Sequence, residues 1–204
     1  LKPNQINLTK IYRQTDEKYI KILNNIRVGK ITQSMITTLT GCTKKEYNKE
    51  EQTKPTILLP RRRDADTINY RELNKLDVSR MPEKIYKTTV VPENELPLTQ
   101  MQIKNLEIFT DGEKEYEINY LTNNIMAEEE IRLRIGAVVM CVANLNMEGP
   151  NPIVNGSQGI IINFVNNIPL VKFNNGTIQE ISHHIWARER LPGRAIKQIP
   201  LIYA

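Results

Sequence analysis

The sequence predicts an α/β region followed by a small all-β barrel. In the first 90 residues, apolar positions recur at helical spacing beside short strand-like runs. From Ile131 onward, short apolar runs are separated by glycines and Asn-Gly pairs, a pattern typical of an antiparallel meander. Four or five such strands close most economically as a barrel. We therefore divide the chain into an incomplete α/β domain over 1–90, a partly ordered acidic linker over 91–130, and the barrel with its return strand over 131–204.

The α/β region begins with a predicted strand, an Arg-Gln pair and a helix. The run INLTKIY over 6–12 alternates like a strand and leads into Arg13 and Gln14. The helix that follows has an acidic first turn and stops at Gly29. Its apolar face consists of Tyr19, Ile22, Leu23 and Ile26. An arginine between a strand and a helix can reach a phosphate at a neighbouring surface, so Arg13 is a candidate for such a contact.

A second strand-to-helix turn carries three arginines. After a charged connection over 40–54, the run TILL over 56–59 predicts a short buried strand. A helix capped by Asp64 follows, with an apolar face at Ala65, Ile68, Leu73 and Leu76. Between strand and helix lie Arg61, Arg62 and Arg63. Backbone N–H groups and the helix dipole already favour an anion there, so we predict a nucleic-acid contact; a solvated basic surface is the alternative.

The net charge of +5 is unevenly distributed along the chain. Residues 1–90 carry +9, residues 91–130 carry −8 and residues 131–204 carry +4. Two basic blocks around an acidic one suit a polyanion that is touched at both ends. The charge pattern favours nucleic acid as the partner, and lysines that only keep the surface solvated are the alternative.

The bulk properties limit the class of protein. With 204 residues and 40% hydrophobic content, the chain can form one medium or two small domains. No stretch approaches the roughly 20 apolar residues of a membrane span, and no signal-peptide core is present, so we expect a soluble intracellular protein. Cys42 and Cys141 are far apart and lack a CxxC partner, which argues against a disulfide framework or zinc site. Because the chain runs from Leu1 to the apolar run IPLIYA, we interpret it as a fragment.

Two kinds of catalytic signal are missing from the sequence. There is no GxxxxGK[ST] phosphate loop, so the chain alone is not a complete nucleotide-driven enzyme. His183 and His184 are the only histidines and have no cysteine or carboxylate at metal spacing, so we predict no metal site. We expect them to end a barrel strand and Trp186 to pack in the core.

Several stretches together resemble the PIF-type (petite integration frequency) DNA helicases of superfamily one, relatives of RecD. LTKIYRQTDEKYIKILNNIRVGKIT is similar to the segment around helicase motif IV, and TILLPRRRDADTINYRELNKL to the next strand and helix. LRIGAVVMCVANL, VNGSQGIIINF, PLVKFNNG, HHIWARE and QIPLIYA are similar, in this order, to a small inserted barrel. The resemblance covers most of the chain except residues 35–54 and 85–128.

The resemblance implies an incomplete second RecA-like motor domain with an inserted Src-homology-three-like barrel. It implies an ATP-dependent helicase that moves on single-stranded DNA, typically 5′ to 3′, and acts in replication, recombination or repair. ATP and Mg²⁺ would be held mainly outside this chain, which alone is expected to be inactive. The implied partner is single-stranded or forked DNA, bound by a monomer in the nucleus, the mitochondrion or virus-infected cytoplasm. A composition rich in Asn and Ile favours an A·T-rich genome, such as that of a large DNA virus.

The resemblance also implies roles for individual residues. Arg13 corresponds to the arginine that approaches the γ-phosphate of ATP, and Gln14 supports that turn. The arginines that would touch the DNA backbone are Arg61, Arg62 and Arg63. Asn155 lies in a tight barrel turn that can present a loop to DNA, with Lys172 and Arg188 as further candidates for that surface. The alternatives are a non-enzymatic nucleic-acid-binding module and a peptide-binding barrel, the latter disfavoured by few aromatic residues.

Overall fold

The computed structural model describes residues 8–12, 14–44, 46, 56–77, 79, 83–191 and 193–204. By its internal contacts the chain forms two compact units, Leu1–Asn48 and Lys49–Ala204. This boundary lies well before the division that we predict at residue 90, and it groups the helix after Arg61 with the sheets. None of the helices in these ranges has the length and apolar character needed to cross a membrane.

The described residues of the first unit form helices α1 (Glu17–Arg27) and α2 (Gln33–Cys42). The predicted helix is confirmed as α1, and Asp16 caps it by accepting a hydrogen bond from the Tyr19 N–H at 3.0 Å. Helix α2 was not predicted. The strand predicted over 6–12 is wrong where the structure describes it, because residues 8–12 are irregular.

In the second unit, residues 56–61 are irregular and exposed, and helix α3 (Arg62–Leu73) follows them. The strand predicted over 56–59 is wrong: Leu58 is 90% exposed, and no strand among the described residues lies beside it to complete a ladder. Arg61 is the N-cap residue, so the prediction that Asp64 caps the helix is also wrong. Asp64 instead lies in the first turn, where its charge complements the helix dipole.

In the described part of the chain, ten strands form three antiparallel sheets. Their bounds are β1 (Lys84–Lys87), β2 (Thr89–Val91), β3 (Glu130–Leu133), β4 (Val138–Cys141), β5 (Gln158–Val165), β6 (Ile168–Phe173), β7 (Ile178–Glu180), β8 (His184–Ala187), β9 (Ala195–Gln198) and β10 (Leu201–Tyr203). The sheet orders are β1-β3, β10-β4-β5-β6-β7 and β2-β9-β8. The mixed α/β class and the antiparallel meander are confirmed, but the described strands do not form a closed barrel. Consecutive strands lie in different sheets. For example, Gly136 lies between β3 and β4 with a φ of 85°, and these two strands belong to different sheets.

Tight turns and one close approach fix the meander. Asn166 and Asn167 both adopt left-handed φ values, 49° and 64°, which suits the two-residue turn between β5 and β6. A Cβ on Gly159 would lie 2.6 Å from the Lys172 carbonyl oxygen, so only glycine lets β5 approach β6 there. The meander shares one apolar core with α3, which contributes Leu73.

The acidic segment 91–130 is largely helical, where the sequence predicts a partly ordered linker. A single 3₁₀ turn (Glu93–Glu95) precedes α4 (Gln100–Glu107) and α5 (Asp111–Asn124). Both α-helices begin with reciprocal capping boxes, formed by the pairs Thr99–Gln102 and Thr110–Glu113. Side-chain capping therefore specifies both helix starts despite the weak apolar periodicity of this segment.

Candidate nucleic-acid interface

The three arginines predicted to contact DNA lie together at the start of α3. Arg61 is the N-cap residue and makes no side-chain capping bond, and the helix continues through Arg62 and Arg63. All three are exposed. The first backbone N–H groups of a helix have no intrahelical partner, so cationic side chains and free donors point to the same end of α3. This arrangement can hold a phosphate.

One of the three arginines is partly neutralised by acidic neighbours. Nε of Arg62 lies 3.9 Å from Oδ2 of Asp66. Arg62 also lines a polar cavity of about 370 Å³ between α3 and the segment that follows α5. Burial raises the pKa of Glu128 in this cavity, and the charge of Arg62 partly opposes that rise. Arg61 and Arg63 therefore carry the more available positive charge of the group.

The predicted nucleotide-contacting pair cannot be assembled from the described residues. Arg13 lies outside the described residues. Gln14 is partly buried and precedes α1 in the first unit. The γ-phosphate role of Arg13 and the supporting role of Gln14 therefore remain predictions from the resemblance.

Two further candidates lie on the five-stranded sheet or its loops. Asn155 is exposed in the loop between β4 and β5, where its N–H donates to Oδ1 of Asn144 at 2.9 Å. The next residue, Gly156, has a φ of 96° and donates to the Cys141 carbonyl, which closes the turn. Lys172 is exposed on β6 and lies opposite Ile160 of β5. The loop is thus rigidly built, and its contact with DNA stays a prediction.

Arg188 is engaged within the protein, although 33% of its side chain is exposed, and its predicted contact with DNA stays a prediction. Its Nη1 donates to Oε2 of Glu117 at 2.7 Å, and the Glu117 side chain is only 4% exposed. The guanidinium also lies 4.0 Å from the centre of the Tyr120 ring. A buried carboxylate needs such a partner, and the cation is stabilised further by the aromatic face. These contacts give Arg188 a structural role in holding α5.

Sequence reasoning missed a cluster of cations close to Arg188. Nη1 of Arg190 lies 4.0 Å from Oε1 of Glu117. Nη1 of Arg194 lies 3.0 Å from Oε1 of Glu93. Nζ of Lys197 lies 3.3 Å from Oε2 of Glu95. All these carboxylates belong to the acidic segment 91–130. The charge blocks in the sequence could have indicated these ion pairs, because the acidic segment 91–130 is followed by the basic segment 131–204.

The two histidines are packed against aromatic rings. His184 begins β8, where the sequence predicted a strand end, and its ring meets half-buried Trp186 edge-on at 4.7 Å. Burial lowers the pKa of both His183 and His184, which favours the neutral imidazole of each. Among the described residues, no group of three or more His, Cys, Asp or Glu side chains is arranged to hold a metal ion.

Comparisons with known proteins place this chain beside one family. Residues 117–164 match the family model described as "DNA helicase Pif1, 2B domain". The chain is 30% identical over 174 residues to "Uncharacterized protein 030L" of Invertebrate iridescent virus 6, covering 84% of this chain and 32% of that protein. It is 24% identical over 205 residues to human "ATP-dependent DNA helicase PIF1", covering 98% of this chain and 28% of that protein. The chain thus spans about a third of the length of these curated relatives.

Two solved structures of Pif1 helicases share the fold of this chain. Pif1 from Bacteroides sp in complex with ADP-AlF4 superposes with a TM-score of 0.62 at 21% identity, covering 97% of this chain and 40% of that one. Pif1 from Candida albicans superposes with a TM-score of 0.58 at 22% identity, covering 96% of this chain and 45% of that one. The comparisons confirm the resemblance to the PIF-type helicases.

Proposed function

We propose that this chain is part of an ATP-dependent DNA helicase of the PIF type, which translocates on single-stranded DNA, 5′ to 3′, and unwinds duplexes. The observation that carries the proposal is the match to human PIF1 over 98% of this chain. The partial coverage of the relatives agrees with an intact parent in which the ATP- and Mg²⁺-binding domain lies outside these residues. Single-stranded or forked DNA is the proposed partner.

We further propose that the sheets over 131–204 correspond to a Src-homology-three-like barrel inserted in a RecA-like motor domain. The support is the core, which is shared by strands of two different sheets: Ile131 and Leu133 of β3 pack in one cluster with Phe173 of β6 and Leu201 of β10. A curved, barrel-like arrangement buries both sheets around one core.

We propose that Arg61, Arg62 and Arg63 contact the phosphates of DNA. Replacing all three with glutamine should weaken binding of single-stranded DNA and lower the slope of log affinity against log salt by about 2, because each phosphate contact on a single strand contributes about 0.7. Fluorescence anisotropy at several salt concentrations measures both quantities.

The matched control removes three exposed cations elsewhere in the same unit, Arg71, Lys75 and Lys104. This variant has the same net charge as the first and retains the helix start. If both triple variants lower the salt slope equally, the effect is one of net charge, and the start of α3 is not the DNA path.

We also propose that Arg13 stabilises charge that develops on the γ-phosphate during ATP hydrolysis. In the intact parent, Arg13→Ala should lower DNA-stimulated ATP turnover roughly 10²- to 10³-fold, with DNA affinity little changed. Arg27→Ala, in the last turn of α1, is the control. Normal turnover in Arg13→Ala would remove this role, and a parent without any ATP turnover would favour the non-enzymatic nucleic-acid-binding module.

A further inference from the structure

A group of cations that the proposed helicase path does not use lies between β8 and β9 and along β9. This basic ridge consists of Arg190, Arg194 and Lys197. Each of the three lies near a carboxylate of the segment that precedes α4 or of α5 itself. The ridge is therefore a cationic surface that the protein covers with its own anions.

The contacts that cover the ridge differ in burial. Glu117 is buried and fixed by Arg188, so it belongs to the structural core. Glu93 and Glu95 are about half exposed, at 46% and 51%, and pair with Arg194 and Lys197. The two cations are less exposed, at 25% and 35%, but solvent reaches both pairs from the carboxylate side. Ion pairs open to solvent contribute little stability and are weakened by salt. Another anion can therefore displace these two carboxylates.

The carboxylates that cover the ridge are held by a short element. Glu93 and Glu95 lie on the single 3₁₀ turn, which follows Pro92 and leads into an extended stretch at Leu96. Only the hydrogen bonds from the N–H groups of Glu95 and Leu96 close this turn. So short an element can move without unfolding the sheet beneath it.

Arg194 retains unused hydrogen-bonding capacity. Its Nη1 meets Glu93 at 3.0 Å, whereas its Nε is buried and has no partner among the described residues. Arginine binds phosphate best when two parallel N–H groups each meet an oxygen. Because Nε is inaccessible in this conformation, a phosphate can meet Nε and Nη1 together only after the guanidinium has been uncovered.

We propose that the basic ridge is a second binding surface for the phosphates of single-stranded DNA, covered by Glu93 and Glu95 when no DNA is bound. The choice of partner rests on the proposed function, while the ridge and its covering carboxylates stand on the contacts above. The two carboxylates occupy the positions that phosphates would take. Binding there requires their displacement, so the surface contributes little to affinity until the 3₁₀ turn moves.

The test removes the covering charges and measures DNA affinity. The full chain carrying Glu93→Gln and Glu95→Gln should bind single-stranded oligo-deoxythymidine several-fold more tightly than wild type at about 50 mM salt, with a salt slope steeper by about 1.4 for two additional phosphate contacts. Fluorescence anisotropy gives both values. Circular dichroism checks that the fold is retained.

The matched control is Glu107→Gln with Glu115→Gln, which makes the same charge change on the same acidic segment. Neither residue forms an ion pair within the part of the chain that the structure describes. Adding Arg194→Gln and Lys197→Gln to the first variant should remove its gain. An equal gain in the control, no gain at all, or a gain that survives loss of the ridge would each overturn the proposal.

The same measurement on a background that lacks the α3 arginines separates the two surfaces. With Arg61, Arg62 and Arg63 changed to glutamine, the gain from Glu93→Gln and Glu95→Gln should persist. If that triple change leaves wild-type binding unaltered while the gain remains, the proposed contact at α3 fails and the ridge stands. If the gain disappears on this background, the ridge is not an independent surface, and the proposal is overturned.

Discussion

Replacing Gln198 with leucine is expected to lower the free energy of unfolding by about 3 kcal/mol. Gln198 is completely buried at the end of β9. The two N–H groups of its Nε2 are shared among the carbonyl oxygens of Tyr86, Glu128 and Glu129, which lie 3.2, 3.0 and 3.2 Å from that nitrogen. Its Oε1 accepts from the Ile199 N–H at 2.8 Å. Leucine has nearly the same size but removes all of these bonds. The buried Ile199 N–H then loses the acceptor that the amide supplies, and the two glutamate carbonyls keep only their bonds from Thr88, which is costly inside a protein. Urea denaturation followed by circular dichroism measures the loss.

The control for this prediction is Gln179→Leu. Gln179 lies on the edge strand β7, is partly exposed and has no side-chain hydrogen bond in the described structure, so its replacement should change stability by less than about 0.5 kcal/mol. Gln198→Glu adds a second test, because it places a second carboxylate oxygen against three carbonyl oxygens. We expect this variant to be at least as unstable as Gln198→Leu at pH 7. Wild-type stability in either variant would show that the buried amide does not hold these strands together.

The elements that the sequence predicted correctly are those with local determinants. Helix α1 starts at a capping carboxylate, Asp16, and the turn between β6 and β7 contains Gly176, whose φ of 86° an Asn-Gly pair accommodates. Helices α4 and α5 also have local signals, the capping boxes that begin at Thr99 and Thr110. Prolines, a run of acidic residues and weak apolar periodicity predict a linker in this segment, but the capping boxes outweigh these signals.

The elements predicted wrongly depend on partners distant in the chain. The run over 56–59 is apolar enough for a buried strand, but strand formation needs a neighbouring strand with free hydrogen-bonding groups. Closure of a barrel likewise depends on where a ladder breaks, as between β9 and β10 at Ile199 and Pro200. Neither the pairing nor the break is encoded in local spacing.

The candidate site shows the same distinction. That Arg61, Arg62 and Arg63 lie near a helix start follows from nearby residues, but the helix begins at Arg62 and not after the three arginines. The pairing of Arg188 with Glu117 joins residues 71 positions apart, and no motif predicts it. Charge alone therefore could not separate a cation that faces solvent from one that neutralises a buried carboxylate.

Replacing Arg188 with methionine is expected to lower the free energy of unfolding by about 3 kcal/mol, with little effect on DNA affinity. Methionine keeps much of the side-chain volume but removes the charge that Glu117 faces at 2.7 Å. It also removes the contact with the Tyr120 ring. The carboxylate would then be left in a nearly fully buried position without its nearest cation, which is more costly than losing both charges. Thermal or urea denaturation, with anisotropy for DNA binding, checks both expectations.

A double-mutant cycle separates this structural role from a role in DNA binding. Arg188→Met with Glu117→Gln should be more stable than Arg188→Met alone, because the second change removes the unpaired buried charge. Arg190→Met is the control: Arg190 is 61% exposed and lies 4.0 Å from Glu117, so its loss should cost less than about 1 kcal/mol. Should Arg188→Met instead keep wild-type stability and lose DNA affinity, Arg188 would belong to the DNA surface that the sequence predicted. A structural role predicts a loss of stability, whereas a role in DNA binding predicts a loss of affinity. One set of variants therefore decides between the two roles.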